Sequence, residues 1–320
     1  MNVIIGIIGL LALLAILIYP AFRVMAFAYG SARMRAAQGR LLSRSELISL
    51  ADQKSYKDIV FQLERRGFRE LLELRRNDFR EEFVQRMLRR HHTDNLQKII
   101  AAIPSRYRPF FRTLGMEEDI RLIQTVLRVK RTNVTGLVSS MFVRTPSFSE
   151  KTIAEIDQMS LEDFRLLCKK AGYTDLNGLH EWFFTRLHST AIDEVLIAYA
   201  RLLTDVHNIT EALSGSFRFI EGGKYDKVIT ALKDEPPQAV LKALEQTPFK
   251  SERADILDVM RGVLKVKRAF AKSLRSQSPL SIKPFIAYHI DKELELRNIR
   301  TMLKLVHARL DHARIVEALV

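Results

Sequence analysis

A ten-residue pattern that recurs three times constrains the fold of this chain more than any other feature. It reads DIRLIQTVLR from Asp119, DVHNITEALS from Asp205 and ELRNIRTMLK from Glu295. Each copy opens with an acid, has isoleucine fifth and leucine ninth, and so places its apolar residues on one face of a helix. A period of about ninety residues is longer than that of common solenoid repeats, so each copy could be a small domain.

The fourth position of this pattern, beside the apolar face, holds Leu122, Asn208 and Asn298. A buried amide must find hydrogen-bond partners or cost about 1–3 kcal/mol. We therefore expect the two asparagines to bond to backbone where helices cross within each copy, with the acid one turn earlier able to bind the same junction. Leu122 would make the first junction apolar. The alternative is an exposed asparagine at the rim of the apolar face.

A second block precedes each copy of the pattern. It is helix-like, opens on serine or proline and closes on an aromatic residue. Two blocks in the same order, three times, predict an internal triplication. We expect an N-terminal segment followed by three helical repeats, at 1–28, 29–133, 134–219 and 220–320.

The composition favours an all-α fold, because glycine and proline are few and strand-like alternation is scarce. The single cysteine, Cys168, excludes an intramolecular disulfide framework. It stands in the apolar run FRLLCKK, which favours a buried small hydrophobe over a nucleophile.

The N-terminus predicts a membrane anchor. Residues 2–22 carry no charge and are long enough to cross a hydrocarbon core of about 30 Å. A signal peptide would have basic residues before the apolar run and a cleavage site after it, and neither is present. The arginines follow the span, which places the body in the cytoplasm beneath the cell membrane. Candidate membrane-surface contacts are Arg23, Arg33, Arg35 and Arg40, and Tyr19, Phe22 and Phe27 could lie at the interface.

The net charge of +14 attracts anions of every kind, including nucleic acid and lipid head groups. Beyond the start of the chain the basic residues are mixed with acids, which is typical of solvated helical faces. The segment PSRYRPFFR, residues 104–112, interleaves basic and aromatic residues, but a helix–turn junction with Phe110 and Phe111 inside explains it better than nucleic-acid binding. We expect no nucleic-acid partner.

Catalytic signals are weak. EGGKYD has Tyr225 where a phosphate-binding loop needs Ser or Thr, and HEWFFTRLH has Phe184 where a zinc helix needs its second histidine. HHTDN, residues 91–95, has no second cluster to support a metal. We therefore expect no catalytic residues, no cofactor and no metal, although an enzyme stays possible.

Several of these segments resemble the C-subunit family of archaeal-type rotary ATPases, which is similar to the d-subunit family of vacuolar ATPases. ARMRAAQGRLLSRSELISLA, residues 32–51, resembles the opening of that family, with an Ala-Arg-x-Arg run and then Leu-Leu-Ser-Arg and an acid. The repeated pattern resembles the family's helix, which has an acid, Asn three residues later and a basic residue at the end. PLSIKPFIAYHIDKELELRNIRTML, residues 279–303, looks especially like the third copy. Leu122, Ser214 and the anchor depart from the family's pattern.

The resemblance implies three similar helical domains in a funnel about a pseudo-threefold axis. It implies a non-catalytic central-stalk adaptor that couples the membrane rotor ring to the central shaft, during proton- or sodium-linked ATP synthesis or hydrolysis. The partners would be the proteins of the ring, the proteins of the shaft and the lipid bilayer. Two rival functions remain: a membrane-anchored helical scaffold unrelated to rotary motors, and a polyanion- or lipid-surface-binding protein.

Overall fold

The structure is a computed structural model. It describes residues 24–25, 27–53, 55–68, 71, 80–132, 138–142, 144–214, 218–230, 237–245, 247–250, 256–275 and 280–319. All regular secondary structure within these ranges is helical, which confirms the all-α prediction. The anchor expected over 2–22 and the contact expected at Arg23 lie outside the described residues. No helix within the described ranges has the length and apolar character needed to cross a membrane.

Fifteen α-helices are described, five of them 20 residues or longer. The first, α1, covers residues 27–38. The others are α2 (Arg44–Ala51), α3 (Tyr56–Arg65), α4 (Glu81–Ala102), α5 (Arg108–Arg131), α6 (Val138–Met141), α7 (Glu150–Ile156), α8 (Leu161–Lys170), α9 (Leu179–Thr190), α10 (Glu194–Ser214), α11 (Asp226–Thr230), α12 (Pro237–Leu244), α13 (Ile256–Arg275), α14 (Lys283–His307) and α15 (His312–Ala318).

The long helices form the frame. α14 packs against both α13 and α4, α5 contacts α4 and α9, and α10 contacts α9 and α13. The three copies of the repeated pattern lie on α5, α10 and α14, each beginning near the middle of its helix. One large apolar core joins these helices, and a second core joins the start of the chain to its end.

The block that precedes the repeated pattern has the same local structure in its first two copies, residues 55–68 and 160–173. A serine N-cap opens each short helix, α3 and α8. Each helix is followed by a glycine with positive φ, 97° at Gly67 and 94° at Gly172. The next residue, Phe68 or Tyr173, donates its N–H back to the helix at 3.1 and 2.9 Å. These aromatic residues are buried, as is Phe249 at the end of the third copy. The block therefore serves to place one aromatic side chain inside each repeat.

Other local predictions are confirmed. Ser43 and Glu46 form a reciprocal capping box at the start of α2. Phe110 and Phe111 are fully buried at the start of α5, directly after a 3₁₀ turn. Cys168 is buried, and burial raises the pKa of its thiol to about 12, so it is not a reactive thiolate.

The interpretation of Phe27 as an interfacial aromatic was wrong. Phe27 is buried and meets Tyr107 edge to face, with ring centroids 5.6 Å apart. Helix α1 lies so close to the body that a Cβ on Gly30 would stand 2.5 Å from the carbonyl oxygen of Ala102. The outer face of α1 carries Tyr29, which is 71% exposed. The described start of the chain is therefore docked on the body, with one aromatic facing outwards.

Candidate functional site

Three helices that carry the repeated pattern meet at one aromatic cluster. Tyr199 of α10 and His289 of α14 each stand six residues before the acid of their copy. Their rings lie 6.2 Å apart, Phe111 of α5 lies 6.3 Å from His289, and Phe110 lies 6.3 Å from Tyr199. Burial lowers the pKa of His289 to about 4, so the ring is neutral near pH 7. The cluster thus holds α5, α10 and α14 together without placing a charge between them.

A cavity of about 400 Å³ is built next to this cluster. Its walls come from α4, α5, α10 and α14, and Tyr199 and His289 line it. The residue two positions before the acid lines it in every copy, as Glu117, Leu203 and Glu293. We call this space the central cavity. Because equivalent positions of the three copies face it, its walls follow directly from the repeat.

The lining of the central cavity is strongly charged, with five cationic and three acidic side chains. These are Arg89, Arg121, Arg297, Arg300 and Lys304, and Glu117, Glu118 and Glu293. Apolar residues, among them Leu114 and Leu203, contribute to the wall.

The acids of the central cavity have partners within the chain. Arg121 forms ion pairs with Glu117 and with Glu118, the second at 3.3 Å, and Lys267 donates to Glu293 at 2.8 Å. Burial raises the pKa of Glu293, but the ammonium of Lys267 outweighs it and the pKa falls to about 2. Partial desolvation raises the pKa of Glu117, but Arg121 and Lys267 outweigh it, so this pKa is also lowered. The three acids therefore lie beside cations, but Oε2 of Glu118 is buried without a hydrogen bond to any described residue. The Glu117 side chain stays 46% exposed to water.

The acid of the first copy, Asp119, is fully buried and holds the loop that leads to α7. It accepts hydrogen bonds from the Thr145 hydroxyl, from the Ser147 N–H at 3.1 Å and from the Ser147 hydroxyl at 2.8 Å. The Tyr173 hydroxyl adds a fourth at 2.7 Å. Burial raises the pKa of Asp119, and these bonds oppose the rise.

The acid of the second copy, Asp205, holds the loop before α11 in the same way. It accepts from the N–H groups of Lys224 at 3.1 Å and Tyr225 at 3.0 Å. Asn208, one turn later, clamps Ile220 from both sides, accepting its N–H at 3.0 Å and donating to its carbonyl at 2.8 Å. Asn208 is therefore buried and bonded to backbone, and that backbone belongs to this loop.

The acid of the third copy, Glu295, reaches the start of the chain. It accepts the N–H of Leu42, shortly before α2, at 2.8 Å. Lys292 donates to its other oxygen at 2.6 Å and also lies over the Phe68 ring, 4.5 Å from its centroid. Asn298 is buried beside this junction, 4% exposed.

The three junctions follow one rule. Each acid accepts a backbone N–H from the segment that opens the next copy, and the third acid does so for the first copy. These bonds therefore link the three copies of the sequence pattern in a closed order, although the chain itself is open.

The aromatic residue that closes the second block lies at each junction. Tyr173 bonds Asp119, Phe249 meets the Tyr225 ring edge to face, and Phe68 lies under Lys292. At the first junction, where leucine replaces asparagine, Leu122 is fully buried in the large core. Each junction thus combines a carboxylate with one packed ring.

Replacing Asn208 tests the clamp on the second junction. Asn208→Ala leaves the buried N–H and carbonyl of Ile220 without partners, which should lower the free energy of unfolding by about 2 kcal/mol. Denaturant unfolding of the detergent-solubilised full chain measures this. Thr210→Ala, an exposed position half a turn further on α10, is the matched control and should stay within about 0.5 kcal/mol. Equal effects of the two substitutions would show that the clamp contributes nothing.

The pH dependence of stability should report Asp205. Burial raises its pKa to about 6, above the unfolded value of about 3.9. Folding therefore favours the protonated acid, and the resulting stability is present below about pH 4 and is lost as the pH rises through about 6. We expect the unfolding free energy of the unmodified chain, minus that of Asp205→Asn, to fall between those pH values and to level off above them. A constant difference would contradict the assignment.

The candidate membrane-surface arginines are separate from the central cavity. Arg33, Arg35 and Arg40 are all exposed, on α1 and directly after it.

The charged residues of the central cavity were not predicted from the sequence. Their signal was a stripe on α14, where His289, Glu293, Arg297, Arg300 and Lys304 recur every three or four residues. Beside an apolar face, such a stripe looks like any solvated helix surface. Among the described residues, no group of three His, Cys, Asp or Glu side chains is arranged to hold a metal ion.

Comparison with known proteins gives consistent matches. The family described as ATP synthase (C/AC39) subunit matches the chain in two overlapping segments, residues 31–155 and 137–318. The C subunit of the A-type ATP synthase of Thermococcus onnurineus (strain NA1) is 24% identical, over 91% of this chain and 89% of that protein. Its counterpart in Pyrococcus furiosus is also 24% identical, with the same coverage. That of Methanocaldococcus jannaschii is 20% identical, over 87% of this chain and 82% of that protein.

Proposed function

Since the chain belongs to the family of ATP synthase (C/AC39) subunits, we propose that it is the non-catalytic central-stalk adaptor of a rotary ATPase. Its three repeats form a funnel about a pseudo-threefold axis, with boundaries near residues 29, 134 and 220. The central cavity is the socket for the foot of the central shaft, and the body rests on the membrane rotor ring. The protein passes torque between ring and shaft and makes or breaks no bond.

The observation that carries this proposal is the central cavity walled by equivalent positions of three repeats. Glu117, Leu203 and Glu293 face one space, and the junction acids tie each copy to the next. A closed set of junctions suits a protein that must resist twisting, because a force applied to one repeat is passed to both of its neighbours. A wide, partly polar recess suits an inserted protein segment better than a small substrate.

The membrane side of the proposal concerns the start of the chain. Residues 3–22 span the bilayer, the N-terminus lies outside, and Arg23, Arg33, Arg35 and Arg40 face the anionic leaflet. The buried contacts of α1 with the body would then hold the socket at a fixed distance from the membrane. Support comes from the uncharged run in the sequence and from the docking of Phe27 on Tyr107.

Affinity capture from native membranes tests the adaptor role. A tagged full chain, solubilised in mild detergent, should bring down both the ring and the shaft of a rotary ATPase. Recovery of the chain without either, while the motor itself stays assembled, would favour the rival of an unrelated membrane-anchored scaffold. Binding to anionic vesicles alone, lost steeply with salt, would favour the lipid-surface rival.

A further inference from the structure

The described residues do not neutralise all the cations of the central cavity. Arg121 is paired with both Glu117 and Glu118, and Lys304 with Glu81 at 2.6 Å. Less negative charge lies close to the other three arginines, Arg89, Arg297 and Arg300. The nearest carboxylate contact of Arg89 is long, 3.8 Å to Glu118.

Three guanidinium nitrogens at this site are buried without a hydrogen bond to any described residue. They are Nε and Nη1 of Arg89 and Nε of Arg300. The Arg89 guanidinium lies over the Phe142 ring, 4.2 Å from its centroid, which covers one face and leaves the donor edge unsatisfied. Such donors cost free energy when they stay unpaired, and arginine forks match carboxylates in geometry.

The arginines also repel one another. Burial lowers the pKa of Arg300, and the neighbouring Arg121 lowers it further. Arg297, which is exposed on the cavity wall, adds a further positive charge that acts on Arg300's neighbourhood, since the two arginines repel each other. An incoming negative charge would relieve this repulsion, so the cavity is electrostatically prepared for an anionic occupant.

The size and mixed lining point to a protein segment. A space of about 400 Å³ takes a few side chains, and Leu88, Leu114, Leu203 and Leu296 give it apolar walls beside the cations. We infer that the central cavity binds the acidic tip of an inserted protein helix, with Asp or Glu carboxylates on Arg89, Arg297 and Arg300 and apolar side chains on the leucines. This inference rests on the proposed function, since the inserted helix is taken to be the foot of the shaft.

Charge removal tests the inference on the assembled complex. The tagged full chain carrying Arg297→Gln and Arg300→Gln is captured from native membranes and washed at increasing salt. We expect ring recovery to be unchanged and the affinity for the shaft to fall at least tenfold, so that the shaft is released at lower salt. Arg112→Gln with Arg128→Gln, two exposed α5 positions outside the cavity, is the matched control and should release the shaft as the unmodified chain does.

The outcomes distinguish a failure of the proposed function from a failure of the acidic-tip inference. If the unmodified chain recovers no shaft, the proposed function is wrong. If the shaft is recovered, and the cavity variant holds it as strongly as the control does, the socket stands and the acidic-tip inference is overturned. Loss of both ring and shaft would place the arginines in the fold and would also overturn it.

A photo-crosslinking residue at Thr301, which lines the cavity, identifies the occupant directly. The expected product is a peptide from a shaft protein with acidic residues at the linked end. A shaft peptide without acids, or protection of the site by inorganic phosphate alone, would contradict the inference.

Discussion

Glu295→Ala should destabilise the protein more than any other single change at the three junctions, by about 3–5 kcal/mol. Glu295 is 4% exposed and has two buried partners, the N–H of Leu42 at 2.8 Å and the ammonium of Lys292 at 2.6 Å. Removing the carboxylate leaves a buried positive charge uncompensated and frees the start of α2 from α14. Denaturant unfolding of the full chain in detergent measures the loss, and hydrogen exchange should show faster opening at 42–51.

Two substitutions separate the parts of this effect. Glu295→Gln keeps an acceptor for Leu42 but loses the charge opposite Lys292, so its effect should be intermediate. Glu317→Ala removes the acid of a surface pair with Arg261 at 3.2 Å and should change stability by at most about 1 kcal/mol. If Glu295→Ala is as mild as Glu317→Ala, the third junction does not hold the first and last repeats together.

Gly30→Val should be the second large effect, about 3 kcal/mol, through overpacking. A Cβ at this position would lie 2.5 Å from the Ala102 carbonyl oxygen and 2.7 Å from Phe285. Backbone cannot yield as a flexible side chain does, so α1 would have to move away from the body. Thermal or denaturant unfolding shows the loss of stability, and proteolysis within 27–38 should become faster.

The control for Gly30 is Gly39, just after α1. A Cβ at Gly39 meets nothing closer than 3.7 Å, so Gly39→Ala should stay within about 0.5 kcal/mol of the unmodified chain. If Gly30→Val is equally mild, α1 does not need its close approach to the body. Rapid proteolysis of α1 in both variants would show that the segment is loosely held in any case.

The sequence predicted the helices well because their signals are local. The Ser43–Glu46 box, the buried Cys168 and the paired Phe110 and Phe111 all depend on residues near one another in the chain. The triplicated acids were found for the same reason, since each pattern is short. Periodicity and capping chemistry specify an element without reference to its neighbours.

The partners of the repeated residues could not be predicted in this way. Nothing in the pattern around Glu295 shows that its acceptor oxygen meets Leu42, 253 residues earlier. Asn208 was expected to bond to backbone where helices cross, but the pattern could not show that this backbone is the loop at Ile220. Phe27 looked interfacial because it follows an uncharged run, but it packs on Tyr107. Contacts between distant segments require the arrangement of helices in space.

The shared core of the first and last segments has a consequence during synthesis. Leu42, Leu63 and Leu88 pack in one apolar cluster with Met302 and Ile315. At about 5–20 residues per second, the ribosome needs roughly 10–50 s to deliver the closing partners after the opening ones have emerged. During that time the apolar side chains near the start of the chain are exposed to solvent, because their packing partners have not been synthesised. We therefore expect a nascent chain of this architecture to be prone to aggregation until its last two helices arrive.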